Sequence, residues 1–219
     1  MWEWLWQWIF PDQCVVCGQY GTPLCLPCAA RCPAYTAALP ACGADSMTIV
    51  YDYAGAMRQA ILRLKYANQP RIAHVLGTVL AQAPWPTWPH AVVVPIPGAP
   101  QRVAARGYDH ALLLAHQVAT VRQLPVRTNL VRVRNTTAQA QLTRIQRQQN
   151  LKHAFVWRGG VAPHTVILVD DICTTGATLH EAIVVLRHAG ATYIHVAVVA
   201  RGTTHHTPHV HQVDVGGVR

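Results

Sequence analysis

Phenylalanine is nearly missing from this sequence, with two in 219 residues. Ala and Val carry most of the apolar content instead, which suits a tightly packed parallel sheet with helices over it. Acidic residues are also scarce: 9 Asp and Glu stand against 18 Lys and Arg, a formal net charge of +9. That imbalance favours anionic partners, whether phosphate-bearing metabolites, nucleic acid or a membrane surface. A dense Lys/Arg run is absent, so the excess reads as a general basic surface rather than a dedicated nucleic-acid groove. No stretch of about 18 apolar residues occurs, so no transmembrane segment is expected. The N-terminus lacks a basic region, and Glu3 and Gln7 break its apolar run from Trp2 to Phe10. A signal peptide is therefore not expected, and a cytoplasmic location is. Neither a Walker loop nor Gly-x-Gly-x-x-Gly is present, and there is no internal repeat.

The chain is long enough for one α/β domain with a small appendage, and at 51% hydrophobic residues it can bury a sizeable core. Three regions are expected: an N-terminal helix and metal-binding unit over 1–45, the α/β domain over 46–202, and a His-rich tail over 203–219. Trp4, Leu5, Trp8 and Ile9 share a helical face, which either packs on the protein body or serves as an interfacial anchor. Ile49 to Tyr53 reads as a strand. Met57 to Tyr66 and Ile72 to Ala83 read as helices, and the prolines of Ala83-Pro-Trp-Pro-Thr-Trp-Pro89 make a stiff connector. Beyond it the pattern alternates: strand at Ala91–Val94, mostly helix over Ala104–Arg122, and strand at Asn129–Arg134. Strand Val166–Val169, helix Leu179–His188 with Gly190 at its end, and strand Tyr193–Ala200 follow.

The strongest chemical signal is Val166-Ile-Leu-Val-Asp-Asp-Ile-Cys-Thr-Thr-Gly-Ala-Thr-Leu179. An apolar strand leads into two carboxylates, a turn of hydroxyl residues and glycine, and then a helix. Open α/β sheets bind ligands at this position. Unpaired N–H groups at the helix start attract phosphate, and Gly176 and Ala177 leave room for it to approach. Thr174, Thr175 and Thr178 add hydroxyl donors. Asp170 and Asp171 would repel phosphate; they suit ribose hydroxyls or a Mg²⁺ shell. An ordinary Thr-capped strand-to-helix turn accounts for one Thr and one Asp, not for the whole set. The run resembles the 5-phosphoribosyl-1-pyrophosphate (PRPP) signature of type I phosphoribosyltransferases. That resemblance implies a parallel sheet flanked by helices, with PRPP bound together with Mg²⁺.

A pyrophosphate needs a second anion loop. Pro95-Ile-Pro-Gly-Ala-Pro-Gln-Arg-Val-Ala-Ala-Arg-Gly-Tyr-Asp109 follows a strand, and its turn at Pro97 and Gly98 is stiff. It also carries Arg102 and Arg106, whose guanidinium groups suit phosphate oxygens. This turn, the Arg-x-x-x-Arg-Gly-Tyr run, the Lys65-Tyr66 pair, Gln139-x-x-Leu142, Arg147-x-x-Asn150 and the paired cysteines resemble the ComF family. The similarity runs from about residue 5 to Arg201. Leu39 stands where members often begin a third cysteine pair, and Asp109-His110 stands where Gln or Asn is usual. The resemblance implies a link to natural competence, with single-stranded DNA and other competence proteins as partners. It also implies a hood over the site: Thr136 to Phe155, with Arg144 and Arg147 reaching a phosphate on closure and Arg147 joining Asp170 and Asp171 in catalysis. The same segment also reads as a surface helix with a solvated basic face.

Cys14-Val-Val-Cys17 and Cys25-Leu-Pro-Cys28 form a Cys-x2-Cys-x7-Cys-x2-Cys set in a loop-rich stretch too small to hold itself by apolar burial. Four thiolates suit a tetrahedral, structural Zn²⁺; a redox pair, an iron–sulfur site and a decayed metal site are the alternatives, and Cys32 is a spare candidate ligand. Cys173 reads as a packing residue. His205, His206, His209 and His211 read as a solvated tail or a metal site. Two functions follow. One is an enzyme that transfers the phosphoribosyl group of PRPP to a nitrogen nucleophile. The other is a non-catalytic single-stranded DNA-binding competence factor that uses the fold as a binding module. Aromatic side chains interleaved with basic ones would favour the second, and no such interleaving is visible along the chain.

Overall fold

The computed structural model describes residues 12–133 and 153–202. The expectations for the Trp-rich N-terminus, for Gln139, Leu142, Arg144, Arg147 and Asn150, and for the His-rich tail lie outside the described residues. The elements run α1 (Leu26–Ala30), β1 (Ser46–Asp52), α2 (Gly55–Tyr66), α3 (Ile72–Gln82), β2 (Val92–Pro95), α4 (Pro100–Arg106), α5 (His110–Arg122), β3 (Leu130–Arg132), β4 (Phe155–Trp157), β5 (Thr165–Cys173), α6 (Ala177–His188) and β6 (Tyr193–Arg201). Four strands form a parallel sheet in the order β1-β6-β5-β2, and β3 and β4 pair antiparallel beside it.

Alternation of side chains across the pleat explains why these strands are apolar throughout. Val93, Ile167, Val169, Ala197 and Val199 point to one face, where they meet Met57, Ala60, Ile61 and Leu64 of α2, Leu76 and Leu80 of α3 and Leu114 and Val118 of α5. Val92, Val94, Val166, Leu168, Val196 and Val198 point to the other, against Leu179, Ile183 and Leu186 of α6 and Leu130 and Phe155 of the small hairpin. The sheet thus has helices on both faces, as a mixed α/β fold requires. Val15, Leu24, Cys28 and Ala29 of the cysteine unit belong to the same apolar cluster as α2 and α3.

Three expectations change in detail. The helix read over Ala104–Arg122 is two helices. Gly107 (φ 84°) ends α4 in a left-handed cap, and Asp109 starts α5 by accepting a bond from Ala111 N at 3.0 Å. Strand β5 does not end before the acidic pair but runs through it to Cys173, where backbone pairing with β6 continues as far as Cys173↔Arg201. Helix α6 begins at Ala177, directly after Gly176.

The proline-rich connector does more than link α3 to β2. Trp85 is buried and stacks on His195 of β6 with ring centroids 4.9 Å apart, and Trp88 lies 5.0 Å from the same imidazole. The Arg122 guanidinium sits 4.2 Å above Trp85 while donating to the Ala81 and Ala83 carbonyls at the end of α3. Burial, with the Arg122 charge added, pushes His195 down to about 4. An unfolded histidine titrates near 6.5, so between those values the unfolded chain takes a proton that the fold refuses. Stability should therefore fall as pH drops from about 6.5 toward 4, by about 3 kcal/mol from this residue. Thermal melts of wild type and His195→Phe across that range check this: the variant should show the shallower loss, and parallel curves would refute it.

Candidate functional site

The cleft forms where β5 passes into α6. Gly176 takes φ 80°, a conformation that costs an L side chain, and a Cβ there would also meet Cys42 Cβ at 3.6 Å. Gly176 at the N-cap has no side chain to cap the helix, and Thr175 Oγ1 takes only the Ala177 N–H, at 3.4 Å, so the start of α6 keeps N–H groups that can face a ligand, with the helix dipole behind them. Arg201 holds the loop from below, donating to the carbonyls of Cys173 and Thr174 and lying 3.1 Å from Cys173 Sγ. Cys173 is buried and has that contact, in keeping with a packing role.

Pro97 and Gly98 follow β2 on the neighbouring edge. Gly98 N donates to Asp109 Oδ2 at 2.8 Å, so one carboxylate caps α5 and fixes this turn. A Cβ on Gly98 would lie 3.0 Å from Val103 and 3.3 Å from that same oxygen. The two loops face one cavity of about 320 Å³, which Pro97, Gly98, Arg102, Arg106, Asp170, Asp171, Thr174 and Thr178 all line. The two separate sequence signals therefore meet in space. Gly176 and Ala177 are buried in the turn itself, and Thr175 Oγ1 accepts from Ala177 N at 3.4 Å.

The two carboxylates have different surroundings. Lys65 Nζ lies 2.8 Å from Asp171 Oδ2 and His110 Nε2 lies 3.2 Å from it. Burial raises the Asp171 carboxyl, but Lys65 and His110 outweigh it and hold the group below its ordinary range. Asp170 is buried at the cavity wall and is pushed well above that range, first by burial and then by the charge on Asp171. Burial also lowers His110, with Asp171 opposing and Lys65 adding to the shift, so its imidazole is neutral at pH 7. Arg106 Nη1 donates to His110 Nδ1. Nε2 then carries the proton and lies 3.2 Å from Asp171 Oδ2, so Arg106, His110, Asp171 and Lys65 form one run of close contacts. Arg132 of β3 also lines the cavity, and the set of Lys65, Arg102, Arg106 and Arg132 gives the cleft an anion-attracting field.

The phosphoribosyl transferase domain family matches residues 110–216. Competence protein F of Haemophilus influenzae is 35% identical over 168 residues, 72% of this chain and 73% of its own. This chain belongs to the ComF family. Competence protein ComFC of Bacillus subtilis is 29% identical over 135 residues, 61% of this chain and 54% of its own. DNA utilization protein YhgH of Escherichia coli K12 is 28% identical over 199 residues, 86% and 83% respectively.

The cysteine unit of this ComF-family chain brings four sulfurs together. The ligand atoms of Cys14, Cys17, Cys25 and Cys28 all lie within 4.8 Å of one another, and Cys17 Sγ is 3.7 Å from Cys25 Sγ. A tetrahedral zinc with bonds of about 2.3 Å implies sulfur–sulfur edges of about 3.8 Å, so the set could hold a structural zinc ion. Cys25 N points at Cys14 Sγ at 3.4 Å, a further support for a thiolate. Cys32 lies outside the set, and its thiol donates to Cys28 O at 3.4 Å. Leu39 leaves no third pair to complete, and Cys42 is buried against the turn at Gly176 instead, its carbonyl 3.2 Å from His180 Nδ1.

Reading along the chain missed His110, Asp109 and Arg132 as site residues and gave Lys65 no role. His110 and Asp109 open α5 directly after the Arg-Gly-Tyr run, so the signal was adjacency to a motif. Lys65 sits 106 positions before its partner Asp171, and nothing local reveals that pairing.

Proposed function

We propose that this chain binds PRPP in the cleft and transfers its phosphoribosyl group, as a cytoplasmic protein serving DNA uptake in natural competence. One observation carries the reading: the glycine-led start of α6, a buried carboxylate and the two arginines of α4 converge on a single cavity. The 5-phosphate is assigned to Thr174 through Thr178, with N–H groups and hydroxyls as donors. The ribose hydroxyls are assigned to Asp170. Asp171 is committed to Lys65 and His110, so its part is to hold the acidic edge in place rather than to take a hydroxyl alone. The pyrophosphate is assigned to the Pro97–Gly98 turn with Arg102 and Arg106, and Arg147 to the closing segment.

The reaction breaks the bond from ribose C1 to the pyrophosphate oxygen and forms one from C1 to a nitrogen nucleophile, which gives up a proton. Cationic groups around the leaving pyrophosphate stabilise the charge that develops on it, and the converging loops fix the geometry. Mg²⁺ bound with PRPP would neutralise part of the pyrophosphate charge; Asp170, the member of the acidic pair not held by Lys65 and His110, would be free to lose its proton to such a cation. Zinc on the four cysteines would be structural, because four protein ligands leave it no open position.

Calorimetric titration with PRPP, with and without Mg²⁺, tests the reading. Wild type should bind one equivalent, more tightly with Mg²⁺, and Asp170→Asn and Arg106→Ala should each weaken binding about tenfold or more. A wild type that binds no PRPP under either condition would sink it. In that event single-stranded DNA binding whose affinity falls steeply with salt would support the non-catalytic alternative.

A further inference from the structure

We propose that Cys17 is an oxidation site for hydroperoxides, which join it to Cys25 in a disulfide and so dismantle the four-cysteine set. All seven cysteines lie among the described residues; six are buried and Cys17 is exposed. It sits in an unbroken exposed run from Val16 to Tyr20. Gly18 beside it takes φ 74° and has no atom within 4 Å of its Cβ position, so the outer side of this turn is open to small solutes. The fold therefore lets a peroxide reach one ligand of the set and shields the other three.

Thiolate character and access together decide which cysteines oxidise. Cys17 has both, since a sulfur that ligates a metal is held as thiolate. Cys173 has the Arg201 guanidinium 3.1 Å from its sulfur but is 2% exposed, so a favourable charge without access leaves it inert. A resolving thiol is also in place. Cys25 Sγ lies 3.7 Å from Cys17 Sγ, and a disulfide needs about 2.05 Å, so the exposed Cys17 side chain has a short gap to close.

The Cys17 thiolate attacks the hydroperoxide, whose O–O bond breaks. Sulfenic acid forms on Cys17, and the other oxygen takes a proton and leaves as alcohol or water. The Cys25 thiolate then attacks the Cys17 sulfur and expels hydroxide, which takes a second proton and leaves as water. Two thiolates are oxidised by two electrons to one disulfide, and one hydroperoxide is reduced. Cys14 and Cys28 remain, too few for a tetrahedral site. The consequence reaches the sheet domain. Asp52 N donates to Pro33 O at 2.9 Å and Tyr35 N to Val50 O at 3.0 Å, and Val15, Leu24 and Ala29 pack with Met57 and Ile61. Oxidation thus withdraws support from α2, the helix whose last turn carries Lys65.

The site rests on the zinc reading of the four cysteines, and one experiment separates the two. Zinc-loaded protein is treated with hydrogen peroxide while a chromogenic chelator reports free zinc, and the products are digested without reduction and mapped by mass spectrometry. Wild type should release one equivalent of zinc with Cys17–Cys25 as the first disulfide, and dithiothreitol with added zinc should restore the site. Cys17→His keeps four ligands and should release its zinc about tenfold more slowly. Cys32→Ser should release it as wild type does. A first disulfide that omits Cys17 or Cys25, an oxidised Cys17 that thiol cannot reduce, wild-type release from Cys17→His, or no release from Cys32→Ser would each overturn the proposal. If Cys17→His does not hold zinc, the wild-type disulfide map decides. Protein that carries no zinc yet forms Cys17–Cys25 would sink the zinc reading and leave the oxidation site standing.

Discussion

Stripping metal with a chelator, or replacing Cys14 by Ser, is expected to unfold the segment 12–45. Its regular structure among the described residues amounts to the five-residue α1 and isolated bridges such as Gln13↔Tyr20, far too little to repay the entropy of ordering it. Structural zinc contributes about 10–16 kcal/mol in small zinc-finger peptides at neutral pH, and the same scale is expected to decide whether this unit folds. The loss should also reach the sheet domain, because Val15, Leu24 and Ala29 pack in one cluster with Met57 and Ile61 of α2. Without metal the four sulfurs cannot all ionise. Burial works against Cys14, but the N–H groups of Cys25, Cys17 and Val16 bring its thiol down to about 6, while contacts with Cys25 and then burial push Cys28 up to about 12. Metal must displace those protons, so acidification should release it. The purified protein should carry one equivalent of zinc; Cys14→Ser and Cys28→Ser should lose it and become protease-sensitive before residue 46, and Cys42→Ser should retain it. Wild type that is metal-free yet resists proteolysis there would refute the assignment.

How much of this was legible beforehand depends on how local each signal is. The strand-to-helix run at 166–179 could be read directly, because strand, acids, glycine and helix follow one another without a gap. The same holds for the cysteine pairs, whose spacing alone brings two sulfurs together at each turn. Fine boundaries were less visible. Asp170 and Asp171 look like loop residues, yet they stay in β5 because their backbone continues to pair with β6 and because Lys65 supplies a charge that no neighbour in sequence provides. Gly107 splits the helix expected over Ala104–Arg122, and Asp109 restarts it. The Gly followed two residues later by an N-capping Asp was a readable stop and start.

Lys65→Met is expected to cost about 3–5 kcal/mol at pH 7, because it removes the main partner of a carboxylate that is 3% exposed. The sign of its pH dependence separates this from a packing defect. In wild type the Asp171 carboxyl lies below its ordinary value, so its contribution is full above about pH 4 and is lost as pH falls through the folded value. Burial opposes the charge on Lys65, but Asp171 prevails and raises it, so that contribution is full below about pH 10 and is lost as pH rises through the folded value. The pair is thus fully effective across neutral pH. In Lys65→Met burial is left to dominate, and Asp171 moves upward toward the protonated form that Asp170 already favours. The defect should then shrink as pH is lowered, since protonation removes the unpaired charge. Urea denaturation at pH 8 and pH 5 should show the larger loss at pH 8, and Lys65→Met/Asp171→Asn should recover most of it at both. A loss that is equal at the two pH values and is not rescued by Asp171→Asn would mean that Lys65 matters for its methylene stem rather than its charge. In that case the run of contacts from Arg106 through His110 to Asp171 would have no anchor at its far end.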